Sequence, residues 1–230
     1  MQKSPKVFAK MVSLGHVDEI FRILRNEIRN YQVPVVELYA KNRHVFHVLI
    51  SCVLSLRTRD EVTAKVCEDL FMVVDAPKDI LKMGLPALRK KIRSVNFYKT
   101  KAKNIYKICQ ILEEQYAGKV PMTPDELLSL PNVGRKTMGI VMTCGHMKEG
   151  DYIPADTHVH KAANRLGWVK TRTPEQTERE LMKVIPRRYW FDLNKILVTF
   201  GQGTCMSVSP FCSRCPIAKY CPKIGVKRSR

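Results

Sequence analysis

Four cysteines close together near the end of the sequence could bind an inorganic centre. They are Cys205, Cys212, Cys215 and Cys221, and six, two and five residues separate them. Thiolates this close along the chain can converge on one metal centre, whereas two disulfides in so short a loop would be strained. The spacing therefore favours either an iron–sulfur cluster or a structural zinc ion.

The segment LPNVGRKT at 130–137 has the residue types of a phosphate-binding turn between two helices. Pro131 stops the first helix, and Asn132 and Gly134 are the residue types that best tolerate positive φ. Such a turn presents backbone N–H groups at the N-terminus of the next helix, where the helix dipole also favours an anion. Arg135 adds positive charge. An ordinary corner between two helices is the alternative.

Two further side chains could take part in covalent chemistry on a sugar. Lys136 lies in the first turn of the second helix, where it is either a solvated surface lysine or an amine that forms a Schiff base with an aldehyde-like carbon. Asp156 lies in IPADTHVH and is a candidate helix N-cap. Its carboxylate could also stabilise a cationic sugar intermediate or accept a proton.

The charge of the chain indicates a polyanionic partner. Its 40 Lys and Arg residues outnumber 21 Asp and Glu residues, for a formal net charge of +19. Nucleic acid is the first candidate, and an anionic membrane surface is the second. No apolar run reaches the roughly 18 residues of a membrane span, and the N-terminal segment does not resemble a secretory signal. The sequence thus predicts a cytoplasmic protein associated with the nucleoid, with no membrane partner.

The elements that must position these residues are predicted to be helices. Apolar residues recur at three- and four-residue steps over 17–28, and 44–56 is apolar nearly all round, as in a buried central helix. Thr123 and Thr173 each precede Pro and so mark helix starts, and Glu126 completes a capping box with Thr123. Because no strand-like alternation is sustained, the chain is predicted to be all-α. Further helices are predicted over 61–74, 77–83, 86–94, 100–116, 174–185 and 190–200.

Together these motifs resemble an endonuclease III-type DNA glycosylase/AP lyase of the helix-hairpin-helix superfamily, which contains an iron–sulfur cluster. LPNVGRKT resembles the family hairpin with its catalytic lysine at Lys136, and ADTHVHKAANRLGW resembles the segment with the catalytic aspartate at Asp156. VNFYKTKAKNIYKICQIL resembles a segment upstream of the hairpin. The C-x6-C-x2-C-x5-C spacing is that of the family's [4Fe–4S] loop, which implies ligands at Cys205, Cys212, Cys215 and Cys221. The resemblance covers about 17–223.

The resemblance implies an all-α fold of two helical domains with a DNA-binding cleft between them. A six-helix domain with the hairpin would span 42–148, and 1–41 plus 149–230 would form a domain with the cluster loop. In the family, residues at the positions of Arg57 and Phe97 fill the space left by a flipped base, although glutamine and a smaller apolar residue are common there. The other implied DNA contacts are Asn132, Val133, Gly134 and Arg135 in the hairpin, and Arg214 and Lys219 in the cluster loop.

By the same resemblance, the chain would remove oxidised pyrimidines from duplex DNA. Attack by Lys136 would give a Schiff base, and β-elimination would then nick the strand 3′ to the lesion. The implied partner is duplex DNA with an oxidised pyrimidine or an abasic site, bound by a monomer. One alternative is a glycosylase for mismatched thymine or adenine, and Lys136 argues against it. The other alternative is a non-catalytic iron–sulfur protein that binds DNA.

Overall fold

The computed structural model describes residues 14–31, 34–36, 39, 44–146 and 152–230. Within these ranges the chain forms helices, turns and loops without a strand, which confirms the predicted all-α class. The α-helices are α1 (Val17–Glu27), α2 (Val45–Ser55), α3 (Asp60–Phe71), α4 (Pro77–Met83), α5 (Leu85–Lys91), α6 (Tyr98–Tyr116), α7 (Pro124–Ser129), α8 (Arg135–Ile140), α9 (Thr157–Arg165), α10 (Pro174–Val184) and α11 (Trp190–Gly203). A π-helical turn, Val141–Gly145, continues α8, and single 3₁₀ turns lie at Ile28–Asn30, Arg187–Tyr189 and Ala218–Tyr220.

The chain folds as two compact units. One unit comprises Pro34–Lys148, and the other comprises Met1–Val33 with Glu149–Arg230. The domain boundary at residue 42 that the family resemblance implies lies among residues outside the described ranges, and it stays a prediction.

Helix α2 is the centre of the unit that contains the hairpin. Every residue from Phe46 to Leu54 is buried, as the unbroken apolar run predicts, and α3, α6 and α8 pack around it. The π-helical turn also packs on α2, where a Cβ on Gly145 would lie 3.0 Å from Val45 Cγ1. Glycine at 145 therefore lets the continuation of α8 approach the first turn of α2. This contact anchors the C-terminal end of the helix that carries Lys136.

The second unit is built on the amphipathic face of α1. Val17, Ile20, Phe21 and Leu24 are buried at the predicted three- and four-residue steps. The Phe21 ring stacks on Tyr189 with centroids 4.1 Å apart and on the fully buried Trp168 at 5.9 Å. Burying one such side chain contributes about 1.5–3 kcal/mol. Helices α9, α10 and α11 complete this core. It holds α9 in place, and Asp156 lies at the N-terminus of that helix.

Helix starts follow the predicted caps with one exception. Thr173 Oγ1 accepts a hydrogen bond from Gln176 N at 3.3 Å, as an N-cap should. Helix α7 begins at Pro124 as expected, but Thr123 Oγ1 donates to the Glu126 carboxylate instead of accepting a backbone N–H. The capping box predicted there is therefore wrong, because the Thr123 side chain caps no backbone N–H and instead binds the side chain that should have completed the box. In the described ranges no helix is both long enough and apolar enough to cross a membrane.

Candidate functional site

The hairpin segment forms the tight turn that its sequence predicts. Helix α7 ends at Ser129 and α8 begins at Arg135, and Val133 N donates to Leu130 O at 3.1 Å across the turn. Asn132 has a φ of 64°, which is the left-handed conformation expected of it. The Val133 side chain is 6% exposed and anchors the turn to the core of its unit.

Gly134 differs from the prediction because it does not use positive φ. It is the N-cap of α8 with φ −98° and ψ 178°, an extended conformation that any residue adopts. A Cβ built on Gly134 would have no atom of the protein within 4 Å. Neither backbone strain nor packing therefore requires glycine at this position. A bare backbone at a helix N-terminus instead leaves room for a ligand to approach closely.

Lys136 lies in the first turn of α8 and is half-buried. The next two residues, Thr137 and Met138, are buried, and Met138 N donates to Gly134 O at 2.9 Å in the first helical hydrogen bond. The amine therefore extends from a helix whose following residues are fixed in the core. This placement gives the Lys136 side chain a rigid base.

Arg57 and Phe97 lie side by side in the hairpin unit, both with strained backbones. Their φ angles are 53° and 58°, and the Arg57 guanidinium carbon is 5.9 Å from the centre of the Phe97 ring. Phe97 is 62% exposed. A left-handed conformation costs such residues about 1–2 kcal/mol, and an exposed aromatic ring recovers little of that through burial. Strain of this kind concentrates at functional sites.

A buried lysine that the sequence did not single out joins the segment around Arg57 to the segment around Phe97. Lys101 is 3% exposed, and its Nζ donates to Leu54 O at 2.6 Å and to Thr58 Oγ1 at 2.8 Å. Burial lowers the pKa of Lys101 to about 8. Asn96 completes the link, because its N donates to Thr58 Oγ1 at 3.1 Å and its Nδ2 donates to Arg57 O at 2.5 Å. The signal in the sequence was the position of Lys101 four residues before buried Ile105, on the apolar face of α6.

Asp156 is the N-cap of α9, as predicted. Its Oδ1 accepts hydrogen bonds from His158 N at 2.8 Å and Val159 N at 3.0 Å, and the residue is half-buried. Two N–H donors and the helix dipole stabilise negative charge on the carboxylate. A structural cap is thus present, and the same contacts fix the orientation of the carboxylate for any further role.

All four cysteines of the C-terminal loop line one pocket. Burial is the main cause that raises the pKa of the Cys215 thiol to about 11, and the thiols of Cys205, Cys212 and Cys221 add to that increase. The four sulfur atoms thus lie close enough for their charges to interact. Four thiolates in one half-buried pocket need a cation to neutralise them, as in a metal centre. In contrast, Cys52, Cys67, Cys109 and Cys144 are buried in helices, as small apolar residues would be.

The spacing of these sulfur atoms fits a multi-iron cluster better than one zinc ion. Tetrahedral zinc with Zn–S bonds of 2.3 Å holds its sulfur ligands about 3.8 Å apart. In the ranges the structure describes, the only group of three or more potential ligand atoms within 4.8 Å of one another is that of His44, His47 and Asp75. No three of the four cysteine sulfurs are therefore as close as zinc requires.

Arg165 at the end of α9 holds the cysteine loop in place. Its Nη1 donates to Cys205 O at 3.0 Å, to Cys205 Sγ at 3.3 Å and to Met206 O at 2.8 Å. Its own carbonyl oxygen accepts Ile224 N at 3.1 Å and Cys221 Sγ at 3.5 Å. One residue thus connects the first and last cysteines of the loop, which sequence reasoning did not predict.

The two loop residues predicted to contact phosphates are exposed and rest on aromatic rings. The Arg214 guanidinium carbon lies 3.9 Å from the centre of the Phe211 ring, and Arg230 contacts the same ring at 4.1 Å. Lys219 Nζ lies 4.7 Å from the Tyr220 ring centre. These contacts hold positive charge at the surface of the cysteine loop.

Comparisons with known proteins agree with these features. Residues 50–187 match the model of the HhH-GPD superfamily, described as base excision DNA repair proteins. The "Endonuclease III" of Thermotoga maritima is 45% identical over 181 residues, which are 79% of this chain and 84% of that protein. A non-covalent endonuclease III–DNA complex is similar with a TM-score of 0.78 and 30% identity, over 91% of this chain and 95% of that one. A trapped covalent endonuclease III–DNA intermediate has a TM-score of 0.70 and 36% identity, over 76% and 82% of the two chains.

Proposed function

We propose a set of roles for the residues of this chain, which belongs to the endonuclease III family within the HhH-GPD superfamily of base excision DNA repair proteins. Membership confirms the resemblance predicted from the motifs. The chain is a DNA-binding base-excision-repair glycosylase with AP lyase activity. What remains to be proposed is which residues perform the reaction, which lesions are substrates and what fills the cysteine pocket.

Lys136 is the nucleophile in this proposal. Its neutral amine attacks C1′ of the damaged nucleotide, the bond between C1′ and the base breaks, and the base leaves with the electron pair and takes up a proton. The amine nitrogen then loses a proton, and the bond between C1′ and O4′ breaks as O4′ takes up a proton, so the sugar ring opens and a protonated Schiff base forms. This Schiff base acidifies C2′, whose proton is then removed. Electrons from that C–H bond expel the 3′ phosphate, which cuts the strand. Support comes from the position of Lys136 two residues after the bare N-cap Gly134, within the segment that matches the family.

Asp156 supplies the carboxylate in the same reaction. It stabilises positive charge on the sugar as the base departs, and it assists the proton transfers that follow. The backbone hydrogen bonds from His158 and Val159 keep Oδ1 fixed, so little reorganisation is needed when charge develops. The role of Asp156 as a cap therefore supports its catalytic role.

Three groups of residues hold the DNA in this proposal. Gly134 and Arg135 bind a backbone phosphate at the N-terminus of α8, with Asn132 and Val133 fixing the turn. Arg57 and Phe97 enter the helix where the damaged nucleotide has been extruded, and they compensate for the lost stacking. Arg214 and Lys219 bind phosphates from the cysteine loop. The strain and exposure of Phe97 support its role, since folding alone does not favour them.

The cysteine pocket fits a [4Fe–4S] cluster with Cys205, Cys212, Cys215 and Cys221 as its ligands. The four thiols line one pocket, burial raises the pKa of the Cys205, Cys215 and Cys221 thiols, and the spacing is wider than zinc requires; these features support this donor set. When bound, such a cluster supplies a fourfold covalent cross-link of the loop. Arg165 orients Cys205, and Phe211 positions Arg214, so the loop presents its positive charge in one arrangement.

The substrate class is proposed to be oxidised pyrimidines and abasic sites in duplex DNA, acted on by a monomer. The test is a nicking assay over duplexes that contain thymine glycol, dihydrouracil, uracil, an abasic site or a mismatch. We expect strong cleavage of the first two and of the abasic site, and a loss of at least tenfold in Asp156→Asn. Asp125→Asn, an exposed carboxylate change on α7, should leave cleavage unchanged. Cleavage confined to mismatches would contradict the proposal.

A further inference from the structure

Lys101 contacts both segments that carry the side chains proposed to enter the DNA helix. Its backbone N donates to Phe97 O at 3.0 Å, in the first hydrogen bond of α6. Its Nζ reaches the other segment, where it donates to Leu54 O at 2.6 Å and to Thr58 Oγ1 at 2.8 Å. Arg57 lies between these two acceptors in the chain. One residue thus fixes the backbone on both sides of the pair formed by Arg57 and Phe97.

One acceptor of the Lys101 ammonium is a carbonyl group that α2 leaves unpaired. Helix α2 ends at Ser55, so Leu54 O lies in its last turn, where carbonyl groups lack partners within the helix. Thr58 N, four residues on, donates to Ser55 O at 3.1 Å instead. The ammonium therefore supplies the missing donor, and its charge suits the negative end of the helix dipole. This contact fixes the point at which the Arg57 segment leaves α2.

Asn96 connects the same two segments through the same hydroxyl group. Its N donates to Thr58 Oγ1 at 3.1 Å, so this oxygen accepts one hydrogen bond from Asn96 and one from Lys101. Its Nδ2 donates to Arg57 O at 2.5 Å. Arg57 and Phe97 both have positive φ, and such conformations persist only where the surroundings impose them. The hydrogen bonds of Lys101, Thr58 and Asn96 are the contacts that do so here.

Stability alone does not account for a charge at this position. Lys101 is 3% exposed, and an ammonium group is costly to bury. Burial also lowers the pKa of Lys101 to about 8. The left-handed backbones of Arg57 and Phe97 add a second cost in the same two segments. Both costs therefore fall on the residues that connect α2 to the start of α6.

We propose that Lys101 is a positioning residue, which holds Arg57 and Phe97 in the arrangement that enters the DNA helix. It acts through the two segments and contacts neither the substrate nor the reacting atoms. The inference rests on the DNA contacts proposed above for Arg57 and Phe97. Without the ammonium, the Arg57 segment is no longer joined to the Lys101 side chain, and the strained backbones relax. Extrusion of the damaged nucleotide then becomes less favourable, because the lost stacking is not replaced.

The test compares Lys101→Met in two backgrounds, using single-turnover cleavage of a duplex with an abasic site. Methionine keeps a side chain of similar length and removes the ammonium. In the wild-type background we expect cleavage at least tenfold slower. In a background that carries Arg57→Gly and Phe97→Gly, the same change should alter the rate less than twofold, since the side chains to be positioned are already absent. A residue that only supports folding would lower the rate by the same factor in both backgrounds.

A fluorescence readout separates positioning from the rate of chemistry. The probe is 2-aminopurine placed opposite a stable abasic analogue, at protein concentrations that saturate binding. Side chains that enter the helix beside this base change its emission, and Lys101→Met should lose at least half of the change seen with the wild type. Thr58→Val removes the shared hydroxyl and should act in the same direction, so the test remains decisive if Lys101→Met does not fold. Lys107→Met, at an exposed position of α6, is the matched control and should match the wild type.

The possible failures are distinguishable. Equal rate losses in the two backgrounds, cleavage by Lys101→Met within twofold of the wild type, or an unchanged 2-aminopurine signal in Lys101→Met and Thr58→Val would overturn the inference. Those results leave the proposed DNA contacts of Arg57 and Phe97 intact. Wild-type cleavage by the protein with Arg57→Gly and Phe97→Gly would instead remove those contacts, and the inference with them.

Discussion

Gly134→Ala separates the fold from DNA binding more cleanly than any other change to the hairpin. The new methyl group meets no protein atom within 4 Å, and the φ of −98° is open to alanine. Removing glycine stabilises by about 0.4–1 kcal/mol through the unfolded state. Alanine is a poorer N-cap than glycine by about 0.5–1 kcal/mol. These effects offset each other, so we expect a melting temperature within about 2 °C of the wild type.

DNA affinity should fall much further than stability. If a phosphate approaches the N-terminus of α8, the methyl group occupies its path and weakens a charge-assisted hydrogen bond, at a cost of about 1.5–3 kcal/mol. Since 1.4 kcal/mol is tenfold in affinity, we expect binding weaker by roughly 10- to 100-fold. The assay is fluorescence anisotropy with a duplex that carries a stable abasic analogue.

Salt dependence identifies the cause of that loss. Gly134→Ala removes no charge, so the slope of log affinity against log salt should not change, whereas Arg135→Ala should reduce its magnitude by about 0.9 if Arg135 contacts a phosphate. Gly15→Ala, where a Cβ also meets nothing within 4 Å, is the matched control. Binding by Gly134→Ala within twofold of the wild type would refute the idea that this backbone lies against phosphate.

Two further predictions concern the loops around the buried lysine. The pKa of Lys101 is about 8 in the folded state and about 10.4 in the unfolded state. Between these two values the unfolded chain binds more protons than the folded chain. The stability of the wild type should therefore rise with pH in that window, relative to Lys101→Met. Urea unfolding at about pH 7.5 and about pH 9.5 measures this, and equal pH dependence in both proteins would contradict it. Phe97→Gly relieves left-handed strain and should not lower stability, yet it should reduce abasic-site cleavage at least tenfold. Full activity of that variant would exclude Phe97 from the DNA interface.

Local patterns predicted the helices and most of the hairpin. The continuous apolar run of α2 and the stepped apolar face of α1 are direct consequences of helical periodicity, and both are buried as expected. Asn132 takes positive φ because its side chain tolerates that conformation. Gly134 adopts an extended conformation instead of positive φ. Residue type alone does not predict this difference, because glycine occurs both where the backbone needs positive φ and where a ligand approaches the backbone closely.

Contacts between residues distant in sequence were beyond local reasoning. The link from Lys101 to Leu54 spans 47 positions, and Arg165 reaches Cys205 across 40. The His44 and Asp75 pair depends on how α2 and α3 pack, which periodicity does not specify. The strain at Arg57 was likewise unpredictable, since arginine has no special preference for positive φ and adopts it here where Asn96 binds its carbonyl oxygen.

Borohydride trapping tests the central claim, that the amine of Lys136 bonds to deoxyribose. Wild-type protein is incubated with a duplex that contains thymine glycol in the presence of sodium borohydride, and the adduct is digested and mapped by mass spectrometry. We predict a stable protein–DNA adduct on Lys136 that is absent from Lys136→Gln, while that variant still binds the abasic duplex. An adduct of equal yield in Lys136→Gln, or one mapped to another residue, would contradict the account.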